Sequence, residues 1–185
     1  MPPTAYSAIS SYSRVEILAL LQARPERTIA EIAEATGLHP NTVREHLQRL
    51  IDGGFALRTV ERRTRRGRPR ILYSAATGRG GATSPIARRK AAQAADRGDV
   101  MRRIMPWTGT STAELGVAAT HQLDAIVDHL SESGFDPCVD ERGLTIDLSP
   151  CPHAASQADH RERLCAVHLG LMQAVLAQAG GPLQA

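Results

Sequence analysis

Aromatic residues are nearly missing from this 185-residue chain: one Trp, two Phe and three Tyr make up 3% of it. That scarcity disfavours a sheet-dominated fold, whose strands draw on aromatic and β-branched side chains. A hydrophobic content of 42%, carried mainly by Ala and Leu, favours helices instead. Cysteine is scarce and odd in number, with three residues, which excludes a disulfide framework. In a reducing compartment such thiols read as metal ligands, redox-active groups or small buried hydrophobes. No apolar run approaches the ~18 residues of a membrane span. The opening "MPPTAYSAISSYSRVEILALL" also lacks the charged region that precedes the apolar core of a secretion signal. The expectation is a cytoplasmic protein with no membrane partner.

Charge is present in quantity, and its distribution says more than its total of +3. Residues 1–57 carry 5 basic and 6 acidic side chains, residues 58–105 carry 14 and 3, and residues 106–185 carry 3 and 10. The central block is too basic for an ordinary solvated face and reads as a polyanion-binding surface. Nucleic acid is preferred to a membrane because no amphipathic apolar face accompanies the charge. The acidic last third is not expected to touch DNA.

From Ser13, the residues Val15, Ile17, Leu18, Leu20 and Leu21 recur at helical spacing, and Pro25 stops the segment. Thr28 and Glu31 have capping-box spacing ahead of Ile29, Ile32 and Ala33, and Gly37 supplies a left-handed stop. Pro40 suits a first helical position, and Val43, Leu47, Leu50 and Ile51 line one face until "DGG". Helix, tight turn, helix is a helix-turn-helix. "FALRTVE" and "RILYSA" then alternate like two strands around "RRTRRGRPR", which predicts a hairpin with an arginine tip.

The solvent side of the third helix should present Asn41, Thr42, Arg44, Glu45, Gln48 and Arg49, polar side chains suited to reading a groove, and Pro40, Asn41, Thr42, Arg44, Gln48 and Arg49 are its expected DNA-binding residues. The hairpin adds Arg62, Arg63, Arg65, Arg66, Arg68 and Arg70. Together with Arg58, residues 58–70 hold seven arginines against the single Glu61, so the tip would repel itself unless phosphates or a narrow minor groove accept it. Double-stranded DNA is the expected partner.

The stretch "TIAEIAEATGLHPNTVREHLQRLIDGGFALRTVERRTRRGRPRILYSA" resembles the winged helix-turn-helix domain of bacterial regulators of the ArsR-like superfamily. "GLHPNTVREHLQRL" with "RGRPR" is especially similar to the iron–sulfur-responsive SufR-like branch. The resemblance covers roughly residues 10–75. It implies a transcriptional regulator, a repressor acting as a homodimer on a palindromic operator, rather than an enzyme.

The expected fold is mainly α with small β elements. A winged helix-turn-helix occupies residues 10–75, a basic mobile linker with helical character from Pro85 to Ala95 residues 76–109, and a helix–β-hairpin–helix sensor and dimerisation domain residues 110–185. In the last unit, a helix from Thr110 places Leu115, Ala119, Leu123, Ile126, Val127 and Leu130 on one stripe, the expected dimer seam, with His121 and His129 as solvated helix residues. "FDPCVD" and "LTIDLSP" flank a turn, and a final helix from about Ser156 to Ala179 turns Leu164, Val167, Leu171 and Val175 towards a core.

Residues 148–170 hold two of the three Cys and three of the seven His. Cys151 and His153 flank Pro152, while Cys165 and His168 lie three apart on the helix, so the pairs could converge into an S₂N₂ zinc site. The resemblance implies instead an iron–sulfur cluster on Cys151 and Cys165, with Cys138 as the candidate further ligand. A third reading leaves these residues as packing and surface groups. An organic ligand in place of any metal is the alternative for what is sensed. A Cys165–His168 nucleophile and base is disfavoured, because three apart on one helix is poor geometry for a dyad and no phosphate loop accompanies it.

Overall fold

The computed structural model describes residues 11–61, 69–106, 115–140, 143–151, 154 and 156–185. Helix α1 (Tyr12–Ala23) buries Val15, Ile17, Leu18 and Leu21 and ends where Arg24 turns extended ahead of Pro25. Helix α2 (Ile29–Thr36) begins with the expected capping box: the Thr28 hydroxyl accepts from the Glu31 amide at 3.3 Å, and the Thr28 amide donates to the Glu31 carboxylate at 2.7 Å. Gly37 closes it at φ 69°, a left-handed conformation that a β-carbon would strain. Helix α3 (Pro40–Asp52) follows after two residues and buries Val43, Leu47 and Leu50.

Strands β1 (Ala56–Val60) and β2 (Ile71–Ala75) pair antiparallel from Ala56↔Ala75 to Val60↔Ile71, and the ladder continues to a Glu61 amide–Arg70 carbonyl bond of 2.8 Å. Arg27 adds a bridge to Tyr73, with reciprocal amide–carbonyl bonds of 2.9 and 2.8 Å. This anchors the hairpin to the turn between α1 and α2.

Within the expected linker, the helix begins at Pro85 as expected and runs past Ala95 as helix α4 (Pro85–Ile104), 20 residues long and capped by Ser84, whose hydroxyl accepts from the Ala87 amide at 3.3 Å. Its apolar content is small, but Ala91 and Ala94 pack closely on Ala125 of helix α5 (Val117–Glu132). Gly98 allows the same closeness, since a β-carbon there would collide with the Asp124 carboxylate. Low hydrophobicity was compatible with order because small side chains let two helix backbones approach and keep dispersion contacts.

Helix α5 starts at Val117, with Leu115 in the turn before it, and residues 107–114 lie outside the described residues. Strands β3 (Cys138–Asp140) and β4 (Thr145–Asp147) form the expected short hairpin, and helix α6 (Ala158–Ala179) closes the fold.

Two cores result, and α6 belongs to both. Leu164, Val167 and Leu171 enter the core of the helix-turn-helix together with Val15, Leu18, Leu47 and Phe55. Further along, Leu176 joins Ile126, Leu130 and Phe135, with Met172 and Val175 packed beside them. The spacing turned Leu164, Val167, Leu171 and Val175 towards a core without saying which, and Val175 packs in the second while the other three join the first. Those three seal the first core, where each buried side chain contributes about 1.5–3 kcal/mol.

Candidate nucleic-acid interface

Burial of Val43, Leu47 and Leu50 fixes the rotation of α3 and turns the opposite side outward. Pro40, Asn41, Arg44, Gln48 and Arg49 are exposed there, and Thr42 is half-buried. The polar ends are held within the helix. The Arg44 guanidinium donates to the Asn41 amide oxygen, and the Gln48 amide donates to Asp52 at 2.7 Å. Contact with a base edge would exchange these solvent-exposed pairs for bidentate ones.

The helix start carries a residue that pattern reading passed over. The imidazole of His39 accepts from the Asn41 amide at 3.3 Å and caps α3, exposed at the end whose free amides favour an anion. Histidine is not among the usual capping residues, so position alone gave no cue. Arg14 was also missed. Its side chain is 5% exposed on α1, and burial first, then the charge of Arg49, lowers its affinity for a proton. His46, half-buried on α3, is pushed below its ordinary value by burial and then by Arg14 and Arg49. A buried cation behind α3 adds to the positive potential of its outer face.

At the open end of β1 and β2, Arg70 is committed to Glu61 by two bonds, Nε to Oε2 at 3.1 Å and Nη2 to Oε1 at 2.9 Å. The expected DNA contact at Arg70 is therefore already engaged by the protein. Arg58 on β1 is exposed. Arg62, Arg63, Arg65, Arg66 and Arg68 fall outside the described residues.

The Cys and His cluster is not gathered as the spacing suggested. Cys151 packs half-buried beside Ile126, Leu130, Phe135 and Leu176, and Cys165 faces outward on α6. The His168 ring meets Phe135 edge-on with centroids 5.2 Å apart, Cys138 is exposed at the start of β3, and His153 lies outside the described residues. Among the described residues no group of three or more His, Cys, Asp or Glu could hold a metal ion. The reason is rotational. With Leu164, Val167 and Leu171 turned inward, Cys165 is turned out.

The two histidines expected in solvent are otherwise placed. His121 lies 3.2 Å from Asp99 of α4. His129 sits against Phe55, ring centroids 6.2 Å apart, and its pKa is pushed down to about 4 by burial, then by His168 and Lys90.

Contacts from α6 tie the second half to α1: the Tyr12 and His160 rings lie 4.7 Å apart, Arg163 pairs with Glu16 at 2.8 Å, and the Gln22 amide donates to the Val167 carbonyl at 3.2 Å. Where Phe55, Ala91, Ala125, His129, Leu171 and Ala174 meet, a cavity of about 40 Å³ remains. Pockets for drug-sized ligands run to roughly 300–1,000 Å³, so this one is a packing gap at the junction.

Residues 11–55 match the family model described as winged helix-turn-helix DNA-binding. No curated protein and no solved structure matches the chain. Helix α3 with its outward polar face, the paired strands behind it and this match together define a winged helix-turn-helix DNA-binding domain, the equipment of a DNA-binding transcriptional regulator. Among the described residues no helix is long and apolar enough to cross a membrane.

Proposed function

We propose that this chain is a transcriptional repressor that binds a palindromic operator as a homodimer. Helix α3 enters the major groove, where Asn41, Arg44, Gln48 and Arg49 read base edges, while the wing arginines hold phosphates and a narrow minor groove. The exposed face of α3 is the observation that carries this reading, because its side chains are those whose geometry matches base edges. The resemblance to the SufR-like branch supports the repressor assignment. A change in the second half would reach the DNA domain through α6, whose side chains are shared by the two cores.

An iron–sulfur cluster or zinc ion enters no step of this reading, since the described donors Cys138, Cys151, Cys165 and His168 do not fit a closed site as they are placed. The test is binding of the full chain to a duplex selected from random sequence, followed across salt concentrations. Arg44→Ala should reduce discrimination between the selected duplex and point variants of it by about 1–3 kcal/mol at the contacted position. Equal loss on every sequence would remove α3 from base reading, and failure to select any duplex would overturn the assignment.

A further inference from the structure

Part of the apolar stripe of α5 is used inside the chain: Ile126 and Leu130 are 4% and 2% exposed against Phe135 and Leu176, while Leu123 and Val127 stay half-buried. Unsatisfied apolar surface appears on the neighbouring helix. Val100, Met101 and Ile104 of α4 are 42%, 49% and 64% exposed, and Val117 at the start of α5 is 72% exposed. The ion pairs Lys90–Glu132, Arg97–Asp128 and Arg102–Asp124 run the two helices antiparallel, so the exposed end of α4 lies towards the start of α5. Beside this ridge lies an open groove of about 390 Å³ with Met101, Leu123, Val127 and Val139 along it.

From these features we infer that the open face of the α4–α5 hairpin docks a second copy of this chain, the ridge of Val100 and Ile104 from each protomer lying in the groove of the other. This rests on the homodimer of the proposed function and locates its interface. One face supplies both halves of the contact, which is what a two-fold interface demands: each partner must present the ridge and the groove on the same patch. The charges along the groove point the same way. Arg97 and Arg102 are matched within the chain by Asp128 and Asp124, and the exposed Arg103 between Val100 and Ile104 shares its helical side with the exposed Asp96, so the face carries little net field to attract DNA or a strongly charged partner. It complements a surface as neutral and apolar as itself. The exposed side chains form the centre of such an interface, and the surrounding polar surface supplies the remainder of the ~800 Å² per partner of a stable dimer.

Sedimentation of the full chain without DNA, across the micromolar range, tests the inference. The wild type should be a dimer. Val100→Asp combined with Ile104→Asp should weaken dimerisation at least about 100-fold, because two charges would be desolvated in each half of the contact. Since both positions are exposed, the thermal transition of the resulting monomer should stay close to wild type. The milder pair Val100→Ser and Ile104→Ser should shift the equilibrium in the same direction if the aspartates disturb folding. Val60→Asp, an equally exposed apolar site on β1, should leave the dimer intact. A double variant that dimerises like wild type would overturn this interface while leaving the homodimer standing. A wild type that stays monomeric throughout would overturn both.

Discussion

The wing and helix α4 are both basic and stand in opposite electrostatic circumstances. Residues 58–70 hold seven arginines and one acid, Glu61, and that acid is engaged by Arg70. Along α4, Lys90, Arg97 and Arg102 each find a carboxylate on α5: Glu132 at 2.8 Å, Asp128, and Asp124 at 2.8 Å. Arg102 also holds Asp99, and these partners raise its pKa well above the ordinary guanidinium value. The basic block is therefore two things. One part lacks enough acids along its own stretch and is suited to phosphates, while the other neutralises the acidic face of the last third. Net charge over a window says that counter-charges are needed, and only the fold says whose they are.

Salt dependence should break the block apart most visibly. Replacing Arg65, Arg66 and Arg68 by Ala is expected to lower affinity for every duplex on the order of 100-fold at low salt and to reduce the slope of log affinity against log salt by ~2.7, with thermal stability nearly unchanged. An unaltered slope would show that the wing does not hold phosphates.

A smaller effect, in stability rather than binding, should follow pH. His129 is neutral and packed against Phe55, with its folded pKa at about 4 against an ordinary 6.5. The unfolded chain then binds the proton more readily. The contribution of His129 is fully present above pH 6.5 and is lost as pH falls towards 4, on the order of 2 kcal/mol after allowing for partial exposure. Glu132 and Asp128 on α5, Lys90 on α4 and His168 on α6 line or influence its surroundings. His129→Gln should flatten the stability profile between pH 6.5 and 4, and an unchanged profile would assign the acid sensitivity to other groups.

Arg102→Met sharpens the same comparison from the α4 side. It leaves Asp124, 16% exposed, without its bidentate partner and should cost about 1–2 kcal/mol of stability. The salt slope of DNA binding should not move. If it fell by about one, Arg102 would be a phosphate contact and the division of the basic block would fail. Glu132→Gln should have the smallest effect, below about 1 kcal/mol, because the Lys90 pair is over a third exposed on both sides.

The helix-turn-helix was legible because its signals act over a few residues. Thr28 and Glu31 cap α2 within one turn, Gly37 ends it, Pro40 opens α3, and the spacing of Val43, Leu47 and Leu50 selects the face turned outward. The outward-facing residues of α3 followed from that spacing. The buried Arg14 of α1 and the cap formed by His39 did not, since one lies on another helix and the other fills a role that histidine seldom takes. The placement of Cys165 was illegible for a related reason: spacing along α6 shows that Cys165 and His168 can share a side, but not which side the cores claim.

By itself the sequence determined the local elements of the winged helix-turn-helix, the side of α3 that is turned outward and an excess of arginine that must meet anions somewhere. The tertiary structure decided which anions. It brought Asp124, Asp128 and Glu132 to α4, joined Arg163 to Glu16 across 147 residues, and gave α6 to two cores at once. Caps and turns are fixed by neighbours within one helical turn, whereas these pairings depend on how helices rotate and approach. Burial of Leu164, Val167 and Leu171 turned Cys165 outward, and the alanine and glycine contacts of α4 with α5 brought the charges into reach. Many rotations suit the same local pattern, and close packing of distant side chains selects among them.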